Sequence, residues 1–187
     1  MSSLYVAYGS NLSKRQMRQR CPTSRPLGKF LLKDARLVFR GVADLEFAPG
    51  EQAPCGLWSI NDDDEKALDM YEGIASGVYF KTREIKLEYA GKRRSSVIYL
   101  MNSEAIYPPS RAYADTIRKG YRDFDLDESY LNAAIRRAYE GKAPDEATLA
   151  RRLRQRSGDT HRELEPMPPG QQLTMQLPTP TQNEGGQ

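Results

Sequence analysis

The sequence feature that most constrains this chain is a strand-like segment that ends abruptly at a glycine turn. Residues 4–8 are apolar or aromatic and are expected to form a short buried strand. Gly9, Ser10 and Asn11 follow, and Ser10 or Asn11 is expected to cap a helix that starts near Ser13. Such a turn lets a ligand approach the backbone closely and presents free N–H groups to an anion. It lacks the GK[ST] continuation of a P-loop, and an ordinary capped turn is the alternative.

A second segment places an acid where the local electrostatics disfavour one. Asn61 is expected to cap a helix with an acidic first turn, and Gly73 is expected to end it. Glu72 then falls in the last turn, where the helix dipole destabilises a carboxylate by up to about 1 kcal/mol. This position, between the apolar neighbours Tyr71 and Ile74, should raise the pKa of Glu72 towards that of a general acid and base. The alternative is a surface glutamate tolerated at a small cost.

The other segments combine strand patterns with two later helices. Strands are expected over residues 31–42, 55–60, 78–87 and 92–101, the last two paired across Ala90-Gly91. Pro108-Pro109-Ser110 should open a helix from Arg111 to about Gly120. Residues 128–139 have apolar side chains at the spacing of an amphipathic helix.

The character of the chain changes after Gly141. The 187 residues amount to about one domain, and residues 1–141 hold the apolar patterns described above. Residues 146–156 are compatible with a polar, arginine-rich helix, and Pro, Gln and Gly dominate from Ser157 onwards. We therefore expect a folded domain over residues 1–141 and a partly disordered tail over residues 142–187.

Composition excludes several classes of protein. Two cysteines, Cys21 and Cys55, cannot form a disulfide framework, and the single histidine, His161, leaves little basis for a metal site. We expect no metal and no cofactor, and acid–base chemistry would fall to a carboxylate. No apolar run approaches the roughly 20 residues that span a bilayer, and the first residues do not resemble a secretory signal. We therefore expect a cytoplasmic protein without membrane association.

Positive charge is concentrated near the start of the chain. The formal net charge is +3, but residues 13–40 contain nine Lys or Arg and one acid, Asp34. This basic segment could bind nucleic acid or phosphate. No aromatic RNA-binding motif or zinc-finger spacing accompanies it, so a solvated basic surface is the preferred interpretation and nucleic-acid binding is not expected.

Three segments together resemble the γ-glutamylcyclotransferase and AIG2-like superfamily. Residues 5–12, YVAYGSNL, followed by Met17 and Arg20-Cys21-Pro22, are similar to its opening. Residues 68–73, LDMYEG, with Gly77-Val78-Tyr79, resemble the segment around its catalytic glutamate. Residues 108–113, PPSRAY, resemble the start of its C-terminal helix. The order and rough spacing agree over about residues 4–131, and YGSN is closer to the γ-glutamylcyclotransferase branch than to the glutathione-specific one.

The resemblance implies an α+β fold, a small mixed β-barrel flanked by helices with the site at the barrel mouth. It implies Glu72 as the catalytic acid and base, with Tyr79 and Tyr113 lining the pocket. The remaining substrate-binding residues that it implies form the glycine turn and the strand before it: Tyr5, Val6, Ala7, Tyr8, Gly9, Ser10 and Asn11.

The implied reaction needs no protein nucleophile. In a γ-glutamyl amine or amide, the substrate's own α-amino group attacks its γ-carbonyl and closes the lactam 5-oxoproline. Glu72 would move the protons, so one carboxylate and a shaped pocket suffice. Two alternatives remain open at this stage: an enzyme that removes a γ-glutamyl group from a biosynthetic intermediate, and a non-catalytic module that binds an anionic partner.

Overall fold

The computed structural model describes residues 2–141, which form one α+β unit. Two 3-10 turns, Ser10–Leu12 and Ile74–Ser76, and four α-helices accompany six strands. The strands are β1 Ser3–Ala7, β2 Arg25–Phe39, β3 Ala43–Ile60, β4 Tyr79–Thr82, β5 Lys86–Tyr89 and β6 Lys92–Met101. The helices are α1 Lys14–Arg20, α2 Asp62–Tyr71, α3 Arg111–Asp123 and α4 Glu128–Tyr139. The expected tail, residues 142–187, lies outside the described residues.

The first strand lies in the middle of a mixed sheet. β1 pairs antiparallel with β3 and parallel with β6, in the order β2-β3-β1-β6-β4, and β5 adds to β6 beyond β4. Within residues 2–141 the pairing path ends at β2 and at β4, so the sheet does not close. The α+β class is confirmed, but the expected closed barrel is corrected to an open, mixed sheet.

The long hairpin of β2 and β3 differs most from the sequence-based expectation. Both strands begin earlier than predicted, and together they extend from Arg25 to Ile60. Their register shifts between Lys33 and Ala35, where Asp34 adopts a positive φ of 53° and accepts a hydrogen bond from Gly50 N at 2.9 Å. This bulge lies within the predicted strand 31–42, whereas the parts that were not predicted are residues 25–30 and 43–54, the second of which contains the turn signals Pro49-Gly50 and Pro54.

The predicted strand at 78–87 is two strands in the structure. β4 and β5 both pair antiparallel with β6, and residues 83–85 between them are not part of a strand. Ser96 N donates to Ile85 O at 2.8 Å across this break. The turn between β5 and β6 is confirmed at Ala90-Gly91, both with positive φ, as a two-residue hairpin requires.

Helix α2 is fixed at both ends by the residues that predict it. The Asn61 side chain accepts hydrogen bonds from the backbone N–H groups of Asp63 and Asp64, at 3.0 and 2.8 Å. Asp64 returns one from Asn61 N at 3.2 Å, which completes a capping box. Gly73 adopts the left-handed conformation (φ 67°, ψ 42°) that ends the helix, and Glu72 is left at its C-cap.

The core lies between the sheet and the helices. Trp58 is 2% exposed and packs edge-on against Phe124, at the end of α3. Cys21 and Cys55 are both buried and free, as small apolar side chains would be. Among residues 2–141, no helix is long and apolar enough to cross a membrane.

The basic segment 13–40 does not form one continuous cationic surface. It is divided between α1 and β2, and several of its charges are paired. Lys29 pairs with Asp125, Arg36 with Glu46 and Glu51, and Arg40 with Asp44. These pairs leave only part of the segment's charge free to attract an anionic partner.

Candidate active site

A small pocket opens where the glycine turn meets the end of α2. Its volume is about 30 Å³, enough for roughly one or two water molecules. Six elements and the connections between them supply its walls. The lining residues are Tyr5, Tyr8, Gly9, Ser10, Asn11, Ala43, Glu72, Tyr79, Tyr99 and Tyr113.

The neighbours of Gly9 leave little room for a side chain at the turn. A Cβ at Gly9 would lie 3.1 Å from the Ala43 Cβ and 3.3 Å from the Tyr113 hydroxyl. Ser13, rather than Ser10 or Asn11, caps α1, and its hydroxyl accepts from Gln16 N at 3.4 Å. The expected cap is therefore wrong by a few residues, and the Asn11 side chain is available to the pocket.

Asn11 links three groups around the pocket. Its amide nitrogen donates to the Tyr5 hydroxyl at 2.8 Å and to Glu72 Oε1 at 2.9 Å. Its amide oxygen accepts from the Arg20 guanidinium at 2.5 Å. Asn11 is 3% exposed, so all of its polar atoms meet protein partners rather than solvent.

Burial gives the Glu72 carboxyl an unusual proton affinity. Loss of hydration raises the pKa of Glu72 from its ordinary 4.5 to about 7, while the charge of Arg20 and the hydrogen bond from Asn11 oppose the rise. The raised pKa agrees in direction with the sequence-based expectation. Its main cause is burial, whereas the sequence argument rested on the helix dipole together with the apolar neighbours Tyr71 and Ile74.

Four further tyrosines line the same pocket. The Tyr113 hydroxyl accepts from Ala43 N at 3.2 Å, and the Tyr79 hydroxyl donates to Ala43 O at 3.4 Å. The Tyr8 hydroxyl donates to the backbone oxygen of Tyr99. Burial raises the pKa of Tyr113 to about 12 and those of Tyr8, Tyr79 and Tyr99 also upwards, so these phenols stay protonated near neutral pH.

The structure brings most of the predicted site residues to one place. The residues that do so are Tyr5, Tyr8, Gly9, Ser10, Asn11, Glu72, Tyr79 and Tyr113. Val6 and Ala7 do not line the pocket. They are buried in β1, paired with Leu57 and Gly56 of β3.

Sequence reasoning missed Ala43 and Tyr99, which also line the pocket. Tyr99 occupies the predicted strand 92–101, and its buried position could have been suspected from the alternation there. Ala43 has no signal, because only the register of the long hairpin brings it to the site. Arg20 and Tyr71 approach the same network: Arg20 donates to the Tyr71 hydroxyl at 2.5 Å and lies over its ring.

A larger groove of about 520 Å³ lies elsewhere, between the β2–β3 hairpin and α4. Arg36, Tyr130 and Arg137 are among its lining residues, and it shares none with the pocket around Glu72. Size therefore does not identify the site here. The small pocket is the better candidate because it combines a titrating carboxyl with buried hydrogen-bond donors.

The arrangement suits proton transfer in a partly water-excluded space. Glu72 can accept or donate a proton near neutral pH, and the tyrosines and the glycine turn can hold a polar substrate beside it. Within residues 2–141, no group of three or more His, Cys, Asp or Glu is placed to hold a metal ion.

Comparison with known proteins places the chain in a family. Residues 55–134 match the model of the AIG2-like family. γ-Glutamylcyclotransferase of Mus musculus is 32% identical over 159 residues, which cover 76% of this chain and 84% of that protein. The Homo sapiens protein of the same name is 29% identical over 160 residues, covering 78% and 85%.

Solved structures agree with these sequence relatives. One described as a γ-glutamyl cyclotransferase superposes with a TM-score of 0.63 at 26% identity, covering 78% of this chain and 90% of that one. An uncharacterised Homo sapiens protein gives 0.62 at 27% identity, covering 77% and 90%. The chain therefore belongs to the γ-glutamylcyclotransferase family of AIG2-like proteins and is an enzyme of the cyclotransferase type.

Proposed function

We propose that the protein releases 5-oxoproline and a free amine or amino acid from a γ-glutamyl amine or amide. The observation that carries the proposal is the Glu72 carboxyl, held at the wall of a small pocket with its pKa raised to about 7. The relatives named above support the γ-glutamyl class of substrate.

In the proposed reaction the substrate supplies its own nucleophile. Glu72 removes a proton from the α-ammonium group, and the freed nitrogen attacks the γ-carbonyl carbon. The new C–N bond closes a five-membered ring as the bond to the leaving nitrogen breaks. Glu72 then delivers its proton to that nitrogen. The regenerated carboxylate takes the second proton that the ring nitrogen must lose and passes it to the departing amine, so the products are a neutral lactam and an ammonium ion and the atoms balance.

The pocket contributes position more than chemistry. Closing a ring within one bound molecule avoids a second binding event, and effective molarities for such reactions reach about 10⁵–10⁸ M. The polar groups of the glycine turn, with Tyr79 and Tyr113, are assigned to the substrate carboxylate and to the developing oxyanion.

The first prediction concerns Glu72→Gln. Glutamine keeps the size and the hydrogen-bond acceptor but cannot cycle a proton, so release of 5-oxoproline should vanish while the fold is kept. The measurement is 5-oxoproline formation from γ-glutamyl-alanine and a panel of other γ-glutamyl amines, with circular dichroism as the check of folding.

Glu84→Gln is the matched control, because it removes an exposed carboxylate at the break between β4 and β5. It should keep wild-type turnover. Near-normal release by Glu72→Gln would refute the role of Glu72. A folded wild-type protein that binds these ligands but releases nothing would favour a binding module instead.

A further inference from the structure

The Asn11 amide can form a hydrogen bond with ionised Glu72 in only one orientation. An ionised carboxylate only accepts hydrogen bonds, so the amide must turn its NH₂ group, and not its oxygen, towards Glu72. In that orientation Nδ2 uses both hydrogens, one on Glu72 and one on Tyr5. The oxygen then faces the other way and needs a donor.

Arg20 supplies that donor from the end of α1. One guanidinium nitrogen reaches both Asn11 Oδ1, at 2.5 Å, and Ser10 Oγ, at 3.1 Å. Another reaches the Tyr71 hydroxyl at 2.5 Å, and the guanidinium carbon lies 3.5 Å from the centre of the Tyr71 ring. Arg20 therefore ties the glycine turn to the last residue of α2, directly before Glu72.

We propose that Arg20 is a positioning residue, which fixes the Asn11 amide so that its NH₂ group faces Glu72. The planar guanidinium group of Arg20 suits this task, because its separate N–H groups can donate to the glycine turn and to Tyr71 at the same time. Without it the amide is free to rotate and to present its oxygen to the carboxylate. The effect on turnover rests on the function proposed above; the effect on Glu72 itself does not.

The charges around Glu72 make the consequence for pH definite. Tyr5 faces it from β1, Tyr8 from the residue that follows β1, Tyr79 from β4 and Tyr113 from α3, and all four are protonated near neutral pH. The Asp44 carboxylate, which faces Tyr8 and Tyr79, pairs with Arg40 at 2.7 Å. Arg20 is the cation that acts on Glu72, so removing it withdraws a positive charge and an oriented donor together.

The second prediction compares Arg20→Gln, Arg20→Lys and the control Arg18→Gln. Arg18 is an exposed cation on the same turn of α1. Arg20→Gln should move the acidic limb of kcat/KM to higher pH and lower kcat about tenfold, with a smaller change in KM. Lysine should restore part of the pH shift, and Arg18→Gln should change neither quantity.

A double-mutant cycle tests whether Arg20 acts through Asn11. Once Asn11→Ala has removed the amide, Arg20→Gln should lower kcat by less than about threefold further, because only its charge is left to lose. The proposal would be overturned if the kcat losses of Asn11→Ala and Arg20→Gln multiplied in the double variant. It would also be overturned if the acidic limb of kcat/KM did not move in Arg20→Gln.

Titration of Glu72 keeps this test separate from the proposed reaction. In unliganded protein with ¹³C-labelled glutamate, NMR should report a higher pKa for Glu72 in Arg20→Gln than in the wild type or Arg18→Gln. If wild-type protein releases no 5-oxoproline but this shift is seen, the proposed function fails and the positioning role stands. An unchanged Glu72 titration would refute the positioning role whatever the activity.

Discussion

At the scale of single residues, Glu72 lies where function and stability oppose each other. The protein buries this carboxyl beside Asn11 and Tyr5, and burial favours the protonated form. A surface glutamate would ionise at its ordinary pKa and would be a poor acid at neutral pH. The same burial that suits Glu72 to its proposed role in proton transfer makes the ionised form of Glu72 unfavourable in the folded state.

The third prediction follows from this opposition. Below about pH 4.5 Glu72 is protonated in both the folded and the unfolded state. Between pH 4.5 and pH 7 the unfolded chain releases this proton first, so the free energy of unfolding of the wild type falls as the pH rises. Glu72→Gln does not titrate. Its free energy of unfolding, relative to wild type, should therefore rise between pH 4 and pH 8 by on the order of 3 kcal/mol.

Urea denaturation at several pH values measures this difference. Glu84→Gln, which changes an exposed carboxylate, should follow the wild-type curve. A constant difference between Glu72→Gln and wild type across the range would mean that Glu72 titrates as it does in the unfolded chain. The acid and base role would then lose its physical basis.

At the scale of elements, the docking of α3 on the glycine turn holds the pocket together. Gly120 faces the 3-10 turn Ser10–Leu12 so closely that a Cβ there would lie 2.5 Å from the Leu12 Cβ and 2.8 Å from Ser13 N. The same helix carries Tyr113, whose hydroxyl accepts from Ala43 N in the pocket wall. The position of α3 therefore sets the position of Tyr113.

The fourth prediction is that Gly120→Ala destabilises the protein by about 1–3 kcal/mol, because the methyl group strikes backbone that cannot easily move. Alanine favours helix by up to about 1 kcal/mol over glycine, which is too little to compensate. Turnover should also fall as α3 shifts Tyr113. Thermal and urea unfolding measure the first effect, with Lys119→Ala on the exposed side of α3 as control; an equally stable, fully active Gly120→Ala would show that the helix has room to move.

The elements also show how far sequence alone could go. Strand β1, the glycine turn and α2 with its Asn61 cap and Gly73 stop were predicted because their signals are local: periodicity, capping and a left-handed glycine. In the hairpin of β2 and β3, residues 31–39 and 55–60 were predicted as strand, and residues 25–30 and 43–54 were missed. Pro49-Gly50 and Pro54 are typical turn signals, which conceal the first part of β3. Ala43 and the link from Arg20 to Asn11 depend on contacts between elements, for which a single sequence holds no signal.

At the scale of the whole molecule, the site needs the complete fold of residues 2–141. Tyr5 comes from the central strand, Glu72 from the end of α2, Tyr99 from β6 and Tyr113 from α3. These residues span more than half of the chain but meet in one pocket. The sheet brings them together because β1 lies between β3 and β6.

The fifth prediction is that a chain ending at Gly141 keeps the activity and stability of the full protein. Among the described residues, those that line the pocket lie between Tyr5 and Tyr113, and α4 buries Leu131, Ala134 and Ala138 before Gly141. We therefore expect kcat/KM within about twofold and an unchanged urea midpoint.

Steady-state kinetics and urea unfolding of the full chain and of the chain that ends at Gly141 test this prediction. A clear loss of stability with intact kcat would mean that residues after Gly141 pack on the fold away from the pocket, and the groove between the β2–β3 hairpin and α4 offers the space. A loss of kcat/KM without a loss of stability would instead mean that they contribute to substrate binding. Either outcome would move the domain boundary beyond residue 141, because the unit that folds and acts would then include part of residues 142–187.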